Sequence, residues 1–409
     1  MKKSPVTITE PAAVAALKEI HEASAPGRLK WDFSTPGQVT ALDGRLNVSK
    51  GVLTGLNLDC CIDDISPLSG LVKLTKLDLK GNEVSDLSPL AGLTNLKTLG
   101  LSWNEISDLS PLAGLTNLTL IDLNRNRKIS DLSPLASLTN LKTLDLSFNE
   151  ISELSPLGAL TNLTSLNLKT NWKISDMSPL AGLVNLKTLD LSFNEISELS
   201  PLAGLTNLTS LGLNVNKNIS DLSPLAGLTK LTILGLGGNK IRDISPLAGL
   251  VNLARLELWN NKISDLTLLA SLTNLTELAL GFNKISDLSP LAALTKLTVL
   301  SLGFNKIRDL SPLAGLTKLT ALHAHGNKIS DLSPLAKWTK LVELYLFENK
   351  ISDLSPLAGL TNLSTLDICD NKTNDLSPLS HLRKLEHIDV RERTRRPPHS
   401  SPRRKSSVH

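Results

Sequence analysis

Cysteine is nearly absent from this chain of 409 residues, which contains only Cys60, Cys61 and Cys369. Adjacent cysteines rarely bridge, and Cys369 lies far along the chain from the other two. A disulfide framework is therefore excluded, and a reducing compartment is favoured. No apolar run reaches the length of a membrane span, and charged residues interrupt the first segment, where a secretory signal needs an apolar core. We expect a cytoplasmic protein, with export by a route without a cleavable signal peptide as the alternative.

Catalytic and cofactor motifs are also missing. The chain contains no His-Glu-x-x-His, no paired Cys-x-x-Cys, no phosphate loop and no Gly-x-Ser-x-Gly. Aspartate and glutamate are plentiful, but they recur in open repeated positions that offer no pocket to raise a pKa. These absences predict no catalytic residues, no metal site, no cofactor and no small-molecule substrate. The expected function is therefore non-enzymatic.

What the chain does contain is a repeat. The sequence LTNLKTLGLSWNEISDLSPLAG, residues 93–114, recurs with small changes from about residue 50 to residue 390. A period of 22 or 23 residues indicates a solenoid, in which each coil contacts only its neighbours. One asparagine recurs in every coil and forms a structural ladder: Asn82, Asn104, Asn126, Asn149, Asn171, Asn194, Asn216, Asn239, Asn261, Asn283, Asn305, Asn327, Asn349 and Asn371.

Each position of the repeat has a physical role. In Leu99-Gly-Leu101 two leucines alternate with a small neighbour, which is the period of a strand with one buried face. The asparagine follows the strand, and its amide has the donors and the acceptor needed by backbone groups buried between coils. We expect the serine of each Asp-Leu-Ser-Pro-Leu segment to cap a short 3-10 turn, with proline in the first position of that turn.

These residues resemble the leucine-rich repeat family, and in particular its 22-residue internalin-type subclass of bacterial surface and effector proteins. Asn-x-Ile-Ser-Asp-Leu-Ser-Pro-Leu recurs almost unchanged over roughly 340 residues. The resemblance implies an α/β repeat fold, a leucine-rich repeat solenoid curved into an arc of about 16 coils. Parallel β-strands would line its concave face and short 3-10 turns its convex face. The resemblance also implies a protein that binds other proteins on the concave face and is not an enzyme.

The ends of the chain depart from the repeat. Residues 1–45 include a predicted helix near residues 10–23, and we interpret them as an N-terminal helical cap over the first core layer. Residues 46–393 form the predicted solenoid, and residues 394–409 are predicted to be a disordered basic tail. Residues 391–409 carry a formal charge of +6, which leaves −2 for the rest of the chain. We expect a monomer, with end-to-end association through a weakly capped C-terminal coil as the alternative.

The outward positions of the predicted strands change along the chain. Early coils present small polar or acidic residues, whereas later coils collect large, aromatic and charged residues of the kind that anchor interfaces. For Phe282 and Phe304, packing against each other along the rim is an equal alternative. The residues predicted to contact a protein partner of unknown identity are Arg255, Glu257, Trp259, Glu277, Phe282, Phe304, His323, His325, Glu343, Tyr345, Phe347 and Asp367.

Four residues of the later coils also have side chains that can ligate zinc, namely His323, His325, Asp367 and Cys369. Two coil spacings span about 10 Å, which is long for ligands around one ion. Tyr345 also lies between the histidines and Asp367. An aromatic and histidine contact patch, sensitive to pH through the histidines, is therefore favoured over a metal site.

A second column of residues follows the ladder asparagines. It is glutamate in early coils and becomes lysine later, at Lys240, Lys262, Lys284, Lys306, Lys328, Lys350 and Lys372. An aspartate three residues beyond each lysine predicts a solvated flank of ion pairs. A basic strip for an acidic partner is the alternative. Nucleic acid is disfavoured as a partner, because the strip lacks the interleaved aromatic residues that stack on bases.

The sequence therefore predicts a non-enzymatic scaffold for protein–protein interaction, with its contact surface mainly in the C-terminal half. One alternative is a regulatory subunit that positions an enzyme such as a phosphatase. A second alternative is binding to an anionic surface or a nucleic acid through the basic tail and the lysine strip.

Overall fold

A computed structural model describes residues 6–24, 27–41 and 43–391, so the predicted tail at residues 394–409 lies outside the described residues. The chain divides into two compact units, residues 1–261 and residues 262–409. They are called the first and the second unit below.

The first unit begins with a helix and a small antiparallel sheet. Helix α1 (Pro11–Ala23) starts with proline, whose missing N–H costs nothing in the first turn of a helix. The salt bridge between Glu10 and Lys73 (Oε1 to Nζ, 2.9 Å) ties the start of this helix to the first coil. The three strands pair in the order β1, β3, β2, and they are β1 (Val6–Ile8), β2 (Trp31–Asp32) and β3 (Val39–Ala41).

The repeats of the first unit follow an antiparallel hairpin of β4 (Leu46–Ser49) and β5 (Val52–Asn57). From β5 onward each coil adds one parallel strand in register with the strand before it, as in the pairing of Leu77 with Leu99. These strands are β6 (Lys76–Asp78), β7 (Thr98–Gly100), β8 (Leu120–Asp122), β9 (Thr143–Asp145), β10 (Ser165–Asn167), β11 (Thr188–Asp190), β12 (Ser210–Gly212), β13 (Ile233–Gly235) and β14 (Arg255–Glu257).

The second unit repeats the same coil. Its parallel strands are β15 (Glu277–Ala279), β16 (Val299–Ser301), β17 (Ala321–His323), β18 (Glu343–Tyr345), β19 (Thr365–Asp367) and β20 (His387–Asp389). In the last described coil, Ile388 and Val390 occupy core positions but are 46% and 37% exposed, because no later described coil covers them.

A short 3-10 helix crosses the side of each coil opposite its strand. Those of the first unit are Ser66–Gly70, Ser88–Leu90, Ser110–Leu112, Ser133–Leu135, Ser155–Ala159, Ser178–Leu180, Ser200–Leu202, Ser223–Leu225 and Ser245–Leu247. Those of the second unit are Thr267–Ser271, Ser289–Ala293, Ser311–Leu313, Ser333–Leu335, Ser355–Leu357 and Ser377–Leu379.

The core consists of leucine and isoleucine side chains stacked from coil to coil. Leu99 and Leu101 are fully buried. Thr98, which precedes them, and Gly100, which lies between them, are half-buried on the outer side of the strand. This alternation confirms the predicted inward and outward positions. We call the outer side of the strands, in either unit, the strand face.

The ladder asparagines join adjacent coils through their buried amides. In Asn126, Nδ2 donates to the carbonyl of Leu101 in the previous coil (3.1 Å) and to that of Leu123 in its own coil (2.9 Å). Its Oδ1 accepts from the backbone N–H of Ile106 (3.2 Å). One side chain thus satisfies three backbone groups that the stacking of coils removes from water.

The prediction that serine caps each 3-10 helix is wrong. The cap is the aspartate two residues earlier, as in Asp86, whose Oδ1 accepts the backbone N–H of Ser88 and whose Oδ2 accepts its hydroxyl, each at 2.8 Å. Serine is the first residue of the 3-10 helix itself, and its hydroxyl donates back to the aspartate. This aspartate turn is a local side-chain to backbone bond that competes well with regular structure.

Candidate functional site

The strand face of the second unit brings several of the predicted contact residues together. Because neighbouring strands are parallel and in register, His323 lies beside Tyr345, and Tyr345 lies beside Asp367. We call six residues the aromatic–histidine patch: Phe282, Phe304, His323, His325, Tyr345 and Phe347. They come from four consecutive coils, so the patch runs along the stack and not along one strand.

The rings of the patch form a continuous chain of contacts. Phe282 stacks on Phe304, with centroids 4.5 Å apart and planes 26° apart. The edge of Phe304 meets His325 at 5.1 Å. His325 in turn stacks on Phe347, with centroids 4.3 Å apart and planes 10° apart. Phe282 is 54% exposed, so the stack predicted along the rim exists and still offers an aromatic surface to the outside.

Glycines make room for this stack. A Cβ on Gly303 would lie 2.4 Å from Nε2 of His325, and a Cβ on Gly326 would lie 2.5 Å from Cδ1 of Phe304. Both distances are far below van der Waals contact, so each ring lies directly over the backbone of a neighbouring coil. Gly326 also has a φ of +63°, which glycine adopts without strain.

A second row of the patch contains ionisable groups. The edge of His323 meets the ring of Tyr345, with centroids 4.8 Å apart, and its Nε2 lies 3.8 Å from Oε2 of Glu343. Burial lowers the pKa of His323 below 6.5, although the carboxylate of Glu343 acts in the opposite direction. Burial, together with the negative charges of Glu343 and Asp367, raises the pKa of Tyr345. Burial of His323 therefore favours its neutral form.

Asp367 takes no exposed place in the patch. Its side chain is buried, and Oδ1 accepts the backbone N–H of Cys369 at 3.1 Å. Asp367, Cys369 and Asp389 bring three potential ligand atoms within 4.8 Å of one another. Burial and the two carboxylates raise the pKa of the Cys369 thiol to about 12, and Asp389 pairs with Arg391 (Oδ1 to Nε, 3.1 Å). The sequence grouped Asp367 and Cys369 with His323 and His325. In the structure, Asp367 and Cys369 instead lie together with Asp389.

The remaining predicted contact residues are distributed over both units. In the first unit, Arg255 is exposed, and Glu257 accepts from Nδ2 of Asn214 at 3.0 Å. Trp259 lies against Gly237, where an added Cβ would come within 2.2 Å of its ring. In the second unit, Glu277 is half-buried and Glu343 is exposed beside His323.

The predicted ion pairs of the lysine strip do not form among the described residues. Asp287, three residues beyond Lys284, instead accepts the backbone N–H of Ser289 at 2.8 Å. The hydrogen bonds from Ser289 lower the pKa of Asp287. Each aspartate of this column serves the 3-10 helix of its own coil, because the segment that it caps begins two residues later. In the first unit, Nζ of Lys240 donates to Oδ1 of Asn218 at 2.9 Å.

A cluster that the sequence did not single out lies in the first unit. The guanidinium carbon of Arg125 lies 4.1 Å from the centroid of Trp103 and 4.4 Å from that of Phe148. All three residues directly precede a ladder asparagine in consecutive coils. The sequence shows aromatic residues directly before several ladder asparagines. It gave no reason to single out the arginine that occupies this position between two of them.

The repeat also has known relatives. A family model of leucine-rich repeats in two copies matches residues 94–137, 139–182, 184–227, 206–249, 251–293, 295–337 and 339–381, which together exceed half of the chain. The chain belongs to the leucine-rich repeat family. Comparison with curated proteins found no significant match.

Solved structures place this leucine-rich repeat protein in the internalin type. An internalin of Listeria monocytogenes (InlF) is 34% identical, with 84% of this chain and 91% of that chain covered and a TM-score of 0.61. A leucine-rich repeat protein of Leptospira interrogans is 28% identical, with 82% and 95% covered and a TM-score of 0.73. The functional domain of InlJ from Listeria monocytogenes is 25% identical, with 94% and 81% covered and a TM-score of 0.72.

The family and the fold agree with the predicted leucine-rich repeat solenoid, with one parallel strand and one 3-10 turn per coil. Leucine-rich repeat proteins generally mediate protein–protein interaction. Within the part of the chain that the structure describes, no helix is both long and apolar enough to cross a membrane.

Proposed function

We propose that this leucine-rich repeat protein is a non-enzymatic scaffold that binds a protein partner through the aromatic–histidine patch. The observation that carries the proposal is the ring stack from Phe282 through Phe304 and His325 to Phe347, in which Phe282 is exposed and the other three rings are half-buried. Aromatic side chains dominate the energetics of protein interfaces, because each buries a large rigid surface at a low cost in conformational entropy. Here the rings are already held in place by one another before a partner arrives.

The surroundings of the patch support a protein partner. Glu343 lies beside His323, and Lys284 and Lys306 each follow a ring of the stack by two residues in the chain, so charged residues accompany the aromatic ones, as in protein interfaces. The rings come from four consecutive coils and form a surface that runs along the stack, whereas small-molecule and catalytic sites are usually pockets that enclose their ligand. A non-enzymatic role is therefore the simpler interpretation of the ionisable groups His323, Glu343 and Tyr345.

The test is quantitative affinity capture from the cells that encode the protein, with wild-type and variant chains as bait. Phe347→Ala and Phe282→Ala should each reduce capture of the same protein at least about tenfold, since interface hot spots contribute about 1.4 kcal/mol or more. The matched control is Phe193→Ala, an aromatic residue at the same position of a coil as Phe282 but in the first unit.

Equal capture by all of these baits would overturn the assignment of the patch. The identity of the captured protein separates two roles. A structural or receptor protein would make the chain an adaptor, whereas a catalytic protein would make it a regulatory subunit that positions an enzyme.

A further inference from the structure

The stack of Trp103, Arg125 and Phe148 is built at three consecutive coils of the first unit. Their backbones are joined, because the N–H of Trp103 donates to Asn124 (2.8 Å) and the N–H of Arg125 donates to Ser147 (2.9 Å). The φ angles of the three residues are +59°, +58° and +58°. All three side chains therefore project from left-handed backbone, in a fixed order of ring, guanidinium and ring.

This arrangement is not what stability alone would select. Left-handed backbone favours glycine, and glycine is what three other coils carry at this position, Gly81, Gly238 and Gly326. Burial of the Trp103 ring does not offset the backbone strain in full, since this residue is 50% exposed. The left-handed backbone is shared by this position in other coils, such as those of Phe193 and Val215, so the feature that distinguishes these three residues is the contact of one guanidinium with two rings.

The rings orient a guanidinium whose hydrogen-bond donors remain available. The guanidinium carbon lies within 4.4 Å of both ring centroids, and the Arg125 residue is only half-buried, so the rings hold the cation while part of the residue still meets solvent. Among the described residues, the Arg125 side chain has no carboxylate or carbonyl acceptor. A guanidinium held in this way is suited to a carboxylate or a phosphate, which it binds through two parallel N–H bonds.

Arg125 also lines an open cleft of about 280 Å³ with a mixed charge. Arg127 and Lys128 line it together with Glu83 and Glu105. Glu105 pairs with Lys128 (Oε2 to Nζ, 3.4 Å), so its charge is offset. Arg125 and Arg127 then face one remaining carboxylate, that of Glu83. The three positive and two negative side chains leave the cleft with one net positive charge, which suits a single carboxylate better than a dianion or a polyanion.

We propose that Trp103, Arg125 and Phe148 form a clamp that binds a carboxylate of an acidic protein segment. The guanidinium of Arg125 binds the carboxylate through its N–H groups. The two rings pack against the methylene groups of the same aspartate or glutamate side chain, which a phosphate lacks. This site lies in the first unit and does not depend on the function proposed for the aromatic–histidine patch.

The test uses the full chain labelled with ¹⁵N-arginine, and follows the Nε–H resonance of Arg125, assigned with Arg125→Lys. Three probes are titrated: acetyl-Ala-Glu-Ala-amide, acetyl-Ala-Gln-Ala-amide and inorganic phosphate. A saturable shift of Arg125 with the glutamate peptide is expected. The glutamine peptide should give none, and phosphate should give a weaker shift. Arg383, an exposed arginine of the second unit, is the internal reference.

Substitutions of the rings then distinguish binding by the clamp from attraction to the charge of Arg125 alone. Trp103→Leu and Phe148→Leu should each weaken binding of the glutamate peptide several-fold, whereas Trp172→Leu, at another exposed tryptophan of the same unit, should not. The proposal is overturned if Arg125 shifts no more than Arg383, or if phosphate binds more tightly than the peptide. The titration of the wild-type chain decides the matter even if a variant does not fold.

Discussion

At the residue scale, the position before each ladder asparagine is the most strained point of the coil. The backbone there is left-handed whether the residue is Phe193 (φ +61°), Val215 (φ +58°) or Gly238 (φ +71°). The stacking of coils imposes this conformation. A coil with glycine at this position adopts it without strain, whereas a coil with a larger residue is destabilised by it. A β-branched residue is the least suited to it, because both branches approach the backbone.

Val215→Asn should therefore stabilise the protein by about 1 kcal/mol, since asparagine tolerates left-handed backbone and valine does not. The reciprocal change in the next coil, Gly238→Val, should destabilise it by about 1–2 kcal/mol. A Cβ at Gly238 would also lie 3.0 Å from Cγ2 of Val215. Urea unfolding of the two variants measures both effects. Two shifts of the same sign would contradict the idea that backbone conformation decides this position.

The ladder asparagines should be the least replaceable polar residues. Asn126→Ala removes one acceptor and two donor contacts from buried backbone groups. Because each unsatisfied buried group costs about 1–3 kcal/mol, the loss should be at least about 3 kcal/mol in the free energy of unfolding. Asn117→Ala is the matched control, because Asn117 is exposed and makes one bond, to the carbonyl of Thr94 (2.9 Å). A similar loss for both variants would argue against the ladder as the main joint between coils.

At the scale of the element, most of the 3-10 helices carry an aspartate cap that is charged. The hydrogen bonds from Ser88 lower the pKa of Asp86 below 3.8, and Asp176 and Asp221 are affected in the same way by Ser178 and Ser223. Since the folded chain holds these protons more weakly than the unfolded chain, the caps contribute stability above the unfolded pKa. That stability is lost as the pH falls through the folded pKa.

We expect the free energy of unfolding to fall between about pH 5 and pH 3. A chain with Asp86→Asn, Asp176→Asn and Asp221→Asn should be less stable at pH 7 and should show a flatter dependence on pH. Glu153 and Glu198 occupy the cap position in two other coils but make no bond to Ser155 or Ser200 among the described residues. The double variant Glu153→Gln, Glu198→Gln should keep the wild-type slope. Chemical unfolding across this pH range makes the comparison.

The elements show what sequence can and cannot predict. The strand, the asparagine and the 3-10 turn were predictable because the same pattern recurs in every coil, so the interpretation of one coil applies to the rest. The cap was assigned to serine and not to aspartate, because both polar residues precede the proline and only the backbone angles separate them. Asp367 illustrates the same limit, since its outward position in the strand does not reveal that the side chain is buried.

The candidate sites were less predictable than the fold. The column of aromatic residues indicated that Phe282 and Phe304 are neighbours, but it did not show that Gly303 and Gly326 let the rings lie over the backbone. Arg125 was not identified, because its role depends on rings contributed by the coils before and after it. Such contacts between coils follow from side-chain rotamers, which a repeat alone does not specify.

At the scale of the whole molecule, the repeat predicts that coils are interchangeable in number but not in register. Deleting Glu195–Asn216 removes one period of 22 residues and joins Asn194 to Lys217, so every remaining coil of the first unit still meets coils with the same pattern. This variant should fold, with an unchanged circular dichroism spectrum per residue and a modest loss of stability. Deleting only residues 195–205 would bring a strand opposite a 3-10 turn, and the leucines of β12 would lose their partners in the core. The half-period variant should therefore lose a large part of its structure, although it lacks fewer residues. Equal folding of the two variants would show that hydrophobic content matters more than the register of the coils.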